Sequence, residues 1–187
     1  LTAPSPNTSR LAAGIYVSNV TAASVTTTVN SNLINNSLYG IWAINVPNTD
    51  IKSNTISMNY TDAEIISLAT GYVPIRGIAV ENSSGTEIVS NIITRYLGLV
   101  NAITNDQLQG IRLEISPSST VTKNTMSYTP VGFYAVGSSA GSIVQCNTMN
   151  YNRNGFYMQA ADISTQGWAP FAPFIPNGLS AHNIWNS

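Results

Sequence analysis

Gly110-Ile111-Arg112-Leu113-Glu114-Ile115-Ser116-Pro117-Ser118-Ser119-Thr120-Val121-Thr122-Lys123-Asn124-Thr125-Met126-Ser127-Tyr128-Thr129-Pro130-Val131 is one uninterrupted copy of a unit that recurs along the chain. It opens with glycine and two apolar residues, Ile111 and Leu113, with Arg112 between them facing the other way. A second apolar pair, Val121 and Met126, flanks Asn124, and Gly132-Phe133 then starts the unit again. The same opening stands at Gly14-Ile15, Gly40-Ile41, Gly77-Ile78 and Gly155-Phe156. The second signature recurs around Asn32, Asn54, Asn91 and Asn147. Glycine to asparagine is 14 residues in three units, and asparagine to the next glycine is 8 in three, so a bare unit has 22 residues. Self-similarity at that period signals a solenoid whose units cannot bury an apolar face alone.

The alternation inside each unit has period two, the mark of a strand, and no helical periodicity accompanies it. Short strands joined by Asn, Ser, Thr and Gly turns make one coil of an all-β, parallel β-helix, about six coils in total. One strand set carries the glycine opening and another the segment around Asn, each pairing with its counterpart about 4.8 Å away. Asn32, Asn54, Asn91, Asn124 and Asn147 then form an amide ladder that satisfies groups the stack would otherwise bury unpaired. These units resemble the parallel β-helix repeats of the pectate-lyase-like superfamily, over roughly Gly14 to Asn154. The resemblance implies a right-handed β-helix; for function it leaves open polysaccharide lyases, hydrolases, tailspikes, adhesins and structural stalks.

The 187 residues include only 8% charged side chains, with a net charge of −1. That balance gives no electrostatic footprint for nucleic acid or an anionic membrane. No run is long and apolar enough for membrane insertion, and the Asn/Ser/Thr-rich surface fits an extracellular or cell-surface protein. Residues 1–13 read as an extended linker, 14–159 as the coils, and 160–187 as an aromatic and proline-rich insertion followed by a part-coil or cap. The part-coil ending suggests a segment of a longer exported protein or a protomer whose ends neighbours cover. Cys146 is alone, so no intrachain disulfide forms, and it is expected to be small and partly buried beside the ladder. Sequons stand at Asn7, Asn19, Asn35, Asn59 and Asn82.

Three interruptions break the repeat. Fifteen residues are added between Asn54 and Gly77, and eleven between Asn91 and Gly110. Falling in the same turn of adjacent coils, these two should lie side by side, packed on each other and on the wall. The third follows Gln159 and contains Trp168-Ala169-Pro170-Phe171-Ala172-Pro173-Phe174, a cap or docking segment expected to run as polyproline II. Asn183 is a candidate sixth ladder position.

The alternation also fixes an outward face. Two residues after each glycine it presents Tyr16, Trp42, Ala79, Arg112, Tyr134 and Tyr157; four after, Ser18, Ile44, Glu81, Glu114, Val136 and Gln159. Tyr16, Trp42, Tyr134 and Tyr157 are candidate glycan contacts. Glu81, Glu114 and Arg112 are candidate catalytic residues of a polysaccharide lyase or glycoside hydrolase, Ca²⁺ being the cation a lyase would use and Arg76 a second basic candidate. The plainer reading makes Arg112 the neutralising partner of both glutamates. Family motifs argue against catalysis: Asn48-Thr49-Asp50 resembles a polygalacturonase motif but is expected in a turn, without its companion motifs. The sole histidine, His182, lacks a triad context, and no metal-ligand spacing or nucleotide fingerprint occurs. A flat threonine face for ice, from Thr26-Thr27-Thr28 and Thr55, Thr125 and Thr148, is too irregular to favour. The expectation is a non-catalytic structural or adhesive module, with no cofactor, whose partners are a polysaccharide or neighbouring copies.

Overall fold

A computed structural model describes residues 12–19, 26–70, 74–95, 107–163 and 183–186. Each full coil contributes three strands, and every pairing is parallel. The first sheet stacks β1 (Ala13–Ser18), β4 (Tyr39–Ile44), β7 (Ile75–Glu81), β10 (Leu108–Glu114), β13 (Val131–Ser138) and β16 (Asn154–Asp162). The second stacks β2 (Thr27–Asn30), β5 (Thr49–Lys52), β8 (Glu87–Val89), β11 (Thr120–Thr122) and β14 (Ile143–Gln145). The third stacks β3 (Leu33–Asn35), β6 (Thr55–Ser57), β9 (Ile92–Thr94), β12 (Thr125–Ser127), β15 (Thr148–Asn150) and β17 (Ile184–Asn186). The segment around asparagine, expected as one strand, is therefore two strands in two sheets, with the asparagine at the corner between them.

The residue before each ladder asparagine makes that corner. Ser31, Ser53, Ser90, Lys123 and Cys146 all have φ near +56°, a left-handed turn that throws the side chain outward. Cys146 is accordingly exposed, not tucked beside the ladder as expected. Behind the corner the ladder runs as the sequence suggests. Asn54 Nδ2 donates to Asn91 Oδ1 at 2.9 Å, Asn91 to Asn124 at 2.9 Å, and Asn124 to Asn147 at 3.0 Å. It continues to Asn183 at 3.1 Å, which establishes the sixth position. A parallel serine ladder, not read from the sequence, joins Val46, Ser83, Ser116 and Ser139 through backbone N–H to side-chain Oγ bonds of 3.0–3.4 Å.

Inside, the expected rows are in register: Ile15, Ile41, Ile78, Ile111, Phe133, Phe156 and Val17, Ala43, Val80, Leu113, Ala135, Met158. The glycine rows mark a bend, because the missing side chains also point inward. A Cβ on Gly40 would lie 2.6 Å from Ile56 Cγ2 and 2.5 Å from the Gly77 carbonyl oxygen. Only glycine fits there.

The first insertion departs from the all-strand expectation. Residues Asp62–Thr70 form α1, a helix too short and too weakly periodic to show as amphipathic. Its start is a capping box: Thr61 N–H and Oγ1 donate to Glu64 Oε2 at 2.8 and 2.9 Å, and Glu64 N–H donates to Thr61 Oγ1 at 3.3 Å. Met58, Tyr60 and Ile65 bury against the core, and Arg95 Nε donates to the Tyr60 carbonyl at 3.1 Å. Arg76, expected in the insertion, belongs to β7. We expect Thr61→Ala to cost about 1 kcal/mol, read from thermal unfolding, with β16 and the ladder unaffected by hydrogen exchange. Leu108 and Gln109, expected at the end of the second insertion, belong to β10; residues 96–106 of that insertion, the Trp168 segment and His182 lie outside the described residues, as does the side-by-side arrangement of the insertions.

Candidate functional site

The outward rows fall as the alternation requires. Tyr16, Trp42, Ala79, Arg112, Tyr134 and Tyr157 pair in register across the first sheet, and so do Ile44, Glu81, Glu114, Val136 and Gln159. The inward bend at glycine adds a third outward row, one residue earlier, that carries Tyr39, Arg76 and Gln109. Sequence reading missed this row, although a polar or aromatic residue precedes the glycine in most units.

Charge pairing differs from expectation. Arg112 Nε and Nη2 hold Glu114 Oε2 at 3.0 and 2.7 Å, both residues facing outward two apart on β10. Glu81 is held instead by Arg76, whose Nη1 donates to Oε1 at 2.6 Å across the glycine bend of β7. The result is two arginine–glutamate pairs on adjacent strands. Each carboxylate has a guanidinium on one of its oxygens, Glu81 on Oε1 and Glu114 on Oε2. Among the described residues no group of three or more His, Cys, Asp or Glu side chains converges.

The aromatics do not form an open stripe either. They make two columns separated by Ala79, which is fully buried. In the first, Tyr16 tilts against Trp42 at 5.1 Å, Trp42 stacks on Tyr39 at 4.6 Å, and the Arg76 guanidinium lies 5.1 Å over Tyr39. In the second, the Arg112 guanidinium lies 4.8 Å over Tyr134, which stacks on Tyr157 at 5.1 Å. Tyr134 Oη also donates to Gln159 Oε1. Both faces of Tyr134 are thus occupied, and it is only 7% exposed, whereas Tyr16 is 55% and Tyr157 37% exposed. Rings stacked along the axis offer faces only at the column ends.

Electrostatics around the first column follow from burial. Desolvation pushes the Tyr39 hydroxyl above its ordinary value, an effect partly offset by Arg76. Desolvation, with the Arg112 charge, lowers Arg76. Trp42 Nε1 and Arg76 Nε are buried with no hydrogen-bond acceptor, and each such donor costs about 1–3 kcal/mol until it finds one.

Asn48-Thr49-Asp50 makes turn and strand contacts. Asn48 is a left-handed corner with φ of 54°, and Thr49 Oγ1 donates to the Val46 carbonyl at 2.9 Å. Thr49 and Asp50 lie on β5 itself, not in the turn expected for them. Lys52 Nζ bridges Asp50 at 3.0 Å and Glu87 at 2.6 Å, and those carboxylates, Glu87 first, raise the lysine above its ordinary value.

Against known proteins, residues 7–148 match the family described as "Right handed beta helix region". No curated protein and no solved structure matches the chain.

Proposed function

The chain belongs to the right-handed β-helix family, and from that premise we propose that it is a non-catalytic module of an extracellular or cell-surface protein whose first sheet binds polysaccharide. The observation that carries this reading is the pair of aromatic columns on the outer face of the first sheet, Tyr16–Trp42–Tyr39 and Tyr134–Tyr157. Sugars bring C–H faces that pack on exposed rings. The exposed column ends, Tyr16 and Tyr157, supply the open ring faces. The two clamped carboxylates contribute fixed charge and polar edges rather than mobile acid and base groups.

Trp42→Ala removes the ring on which Tyr16 and Tyr39 pack, and affinity for a bound glycan should fall roughly tenfold, which corresponds to about 1.4 kcal/mol. Tyr16→Ala and Tyr157→Ala should each weaken binding by about 1 kcal/mol, and Tyr134→Ala should act mainly on stability. Glycan-array binding that ignores Trp42, Tyr16 and Tyr157 would reject the wall. The register pairing of Glu81 with Glu114 favours one other reading, an enzyme acting on the same polysaccharide. Release of products from a polysaccharide panel, abolished by Glu114→Gln, would put that reading first.

A further inference from the structure

The corner that leads out of the first sheet needs a left-handed residue in coil after coil. Its backbone N–H donates to a carbonyl on the next coil's strand: Asn19 to Ile44, Asn45 to Glu81, Asn82 to Glu114 and Ile115 to Val136, at 2.9–3.2 Å. Asn19, Asn45 and Asn82 have φ of 57°, 54° and 50°, and Gly137, next in the row, has 68°. Asparagine and glycine are the residues that tolerate such a backbone. Ile115, at 47°, breaks the row. Among the described residues it is the only β-branched side chain on a left-handed backbone.

Burial does not offset that strain, because Ile115 is 49% exposed. Its side chain lies over the next coil's corner, where a Cβ on Gly137 would stand 2.9 Å from Ile115 Cγ1, so the glycine makes room for it. Beside it stand Val136, outward and partly exposed, and Glu114, which pairs with Val136 in register. Arg112 holds Glu114 by Oε2, which leaves Oε1 for a sugar hydroxyl. Strain held where folding gains little from it points to a residue used for contact.

Given the polysaccharide reading of the first sheet, on which this selectivity rests, we propose that Ile115 and Val136 form an alkyl step beside Glu114 that selects sugars bearing a methyl group. Neither side chain offers a hydrogen bond or a ring face. What they can hold next to a carboxylate is an alkyl group on an otherwise polar ligand. On a saccharide that group is the C6 methyl of a 6-deoxyhexose or the methyl of an N-acetyl substituent.

The test is a glycan array read with the whole chain, in pairs of matched linkage and handedness: 6-deoxygalactose with galactose, and N-acetylglucosamine with glucose. The methyl-bearing member of one pair should bind roughly fourfold more tightly, the worth of one methyl group taken out of water. Which pair shows the preference separates the two sources of the methyl. Ile115→Asn puts the row's usual residue at the corner. It should bring that ratio close to one and leave the unfolding midpoint no lower, since the left-handed backbone is relieved. Val136→Thr, of the same shape but with a hydroxyl, should lower the ratio in part. A ratio of one in the unaltered chain, or a ratio that survives both substitutions in folded protein, would overturn the selectivity. If Trp42→Ala still weakens binding in those cases, the wall itself stands. A marked fall in the midpoint of Ile115→Asn would make the isoleucine a stabilising residue and overturn the selectivity as well. No binding to any member of the array would overturn wall and selectivity together.

Discussion

Asn124→Ala is expected to lose about 3–5 kcal/mol of folding stability, because it removes both an acceptor and a donor from a fully buried rung. Asn124 Oδ1 accepts from Asn91 N–H and Nδ2, each at 2.9 Å. Its Nδ2 donates to the Ile88 carbonyl at 2.8 Å, the Thr122 carbonyl at 3.0 Å and Asn147 Oδ1 at 3.0 Å. Alanine takes the acceptor from the buried Asn91 backbone N–H and one donor from the Ile88 carbonyl, while Asn91 Nδ2 keeps the Ile51 and Val89 carbonyls. Those losses share one cavity and do not simply add, yet they are a large part of the ~5–15 kcal/mol that keeps a domain folded. Asn32→Ala removes donors only, at the part-buried end of the ladder, and should cost nearer ~1 kcal/mol. Denaturant midpoints with unchanged slopes would measure both. Equal losses at the two positions would mean that the ladder is not a buried continuous element.

Gly77→Ala should be as damaging, for a steric reason. The new Cβ would stand 2.5 Å from Ile93 Cγ2 and 2.6 Å from the Gly110 carbonyl oxygen. Neither atom can retreat: the first is fixed by its own Cβ branch in the core, and the second belongs to the next coil's backbone. Overpacking of that kind exceeds the usual ~1–3 kcal/mol of a core insertion, and we expect a loss of about 4 kcal/mol or failure to fold. Gly132→Ala meets the Gly155 carbonyl at 2.8 Å, but its side-chain neighbour, Met149, is flexible and 3.3 Å away, so its loss should be smaller. Gly141→Ala has only Ser118 Oγ at 3.3 Å and a φ of +76°, and should cost about 1–2 kcal/mol, the penalty of a left-handed alanine. The order Gly77, Gly132, Gly141 in unfolding midpoints is the check. A tolerated alanine at position 77 would mean that the glycine bend is not where the coils come closest.

The parallel stack, its register, the inward rows and the ladder were all legible in the repeat. Each of these follows from spacing, and spacing survives without knowledge of any contact between coils. The outward side chains were legible for the same reason, since strand alternation leaves one choice once the apolar face is assigned. The capping signal of α1 stands in Thr61-Asp62-Ala63-Glu64, but a nine-residue helix inside an insertion has too few turns for its period to show against the repeat. Partners were a different matter, and they emerged only when coil lay on coil. Arg76 rather than Arg112 holds Glu81, ring faces are taken up by one another instead of offered to solvent, and Cys146 turns outward. Those outcomes depend on a corner's backbone sign, a bend at glycine and the rotamers of residues that meet only across coils. None of the three is encoded in a local pattern of apolar and polar positions.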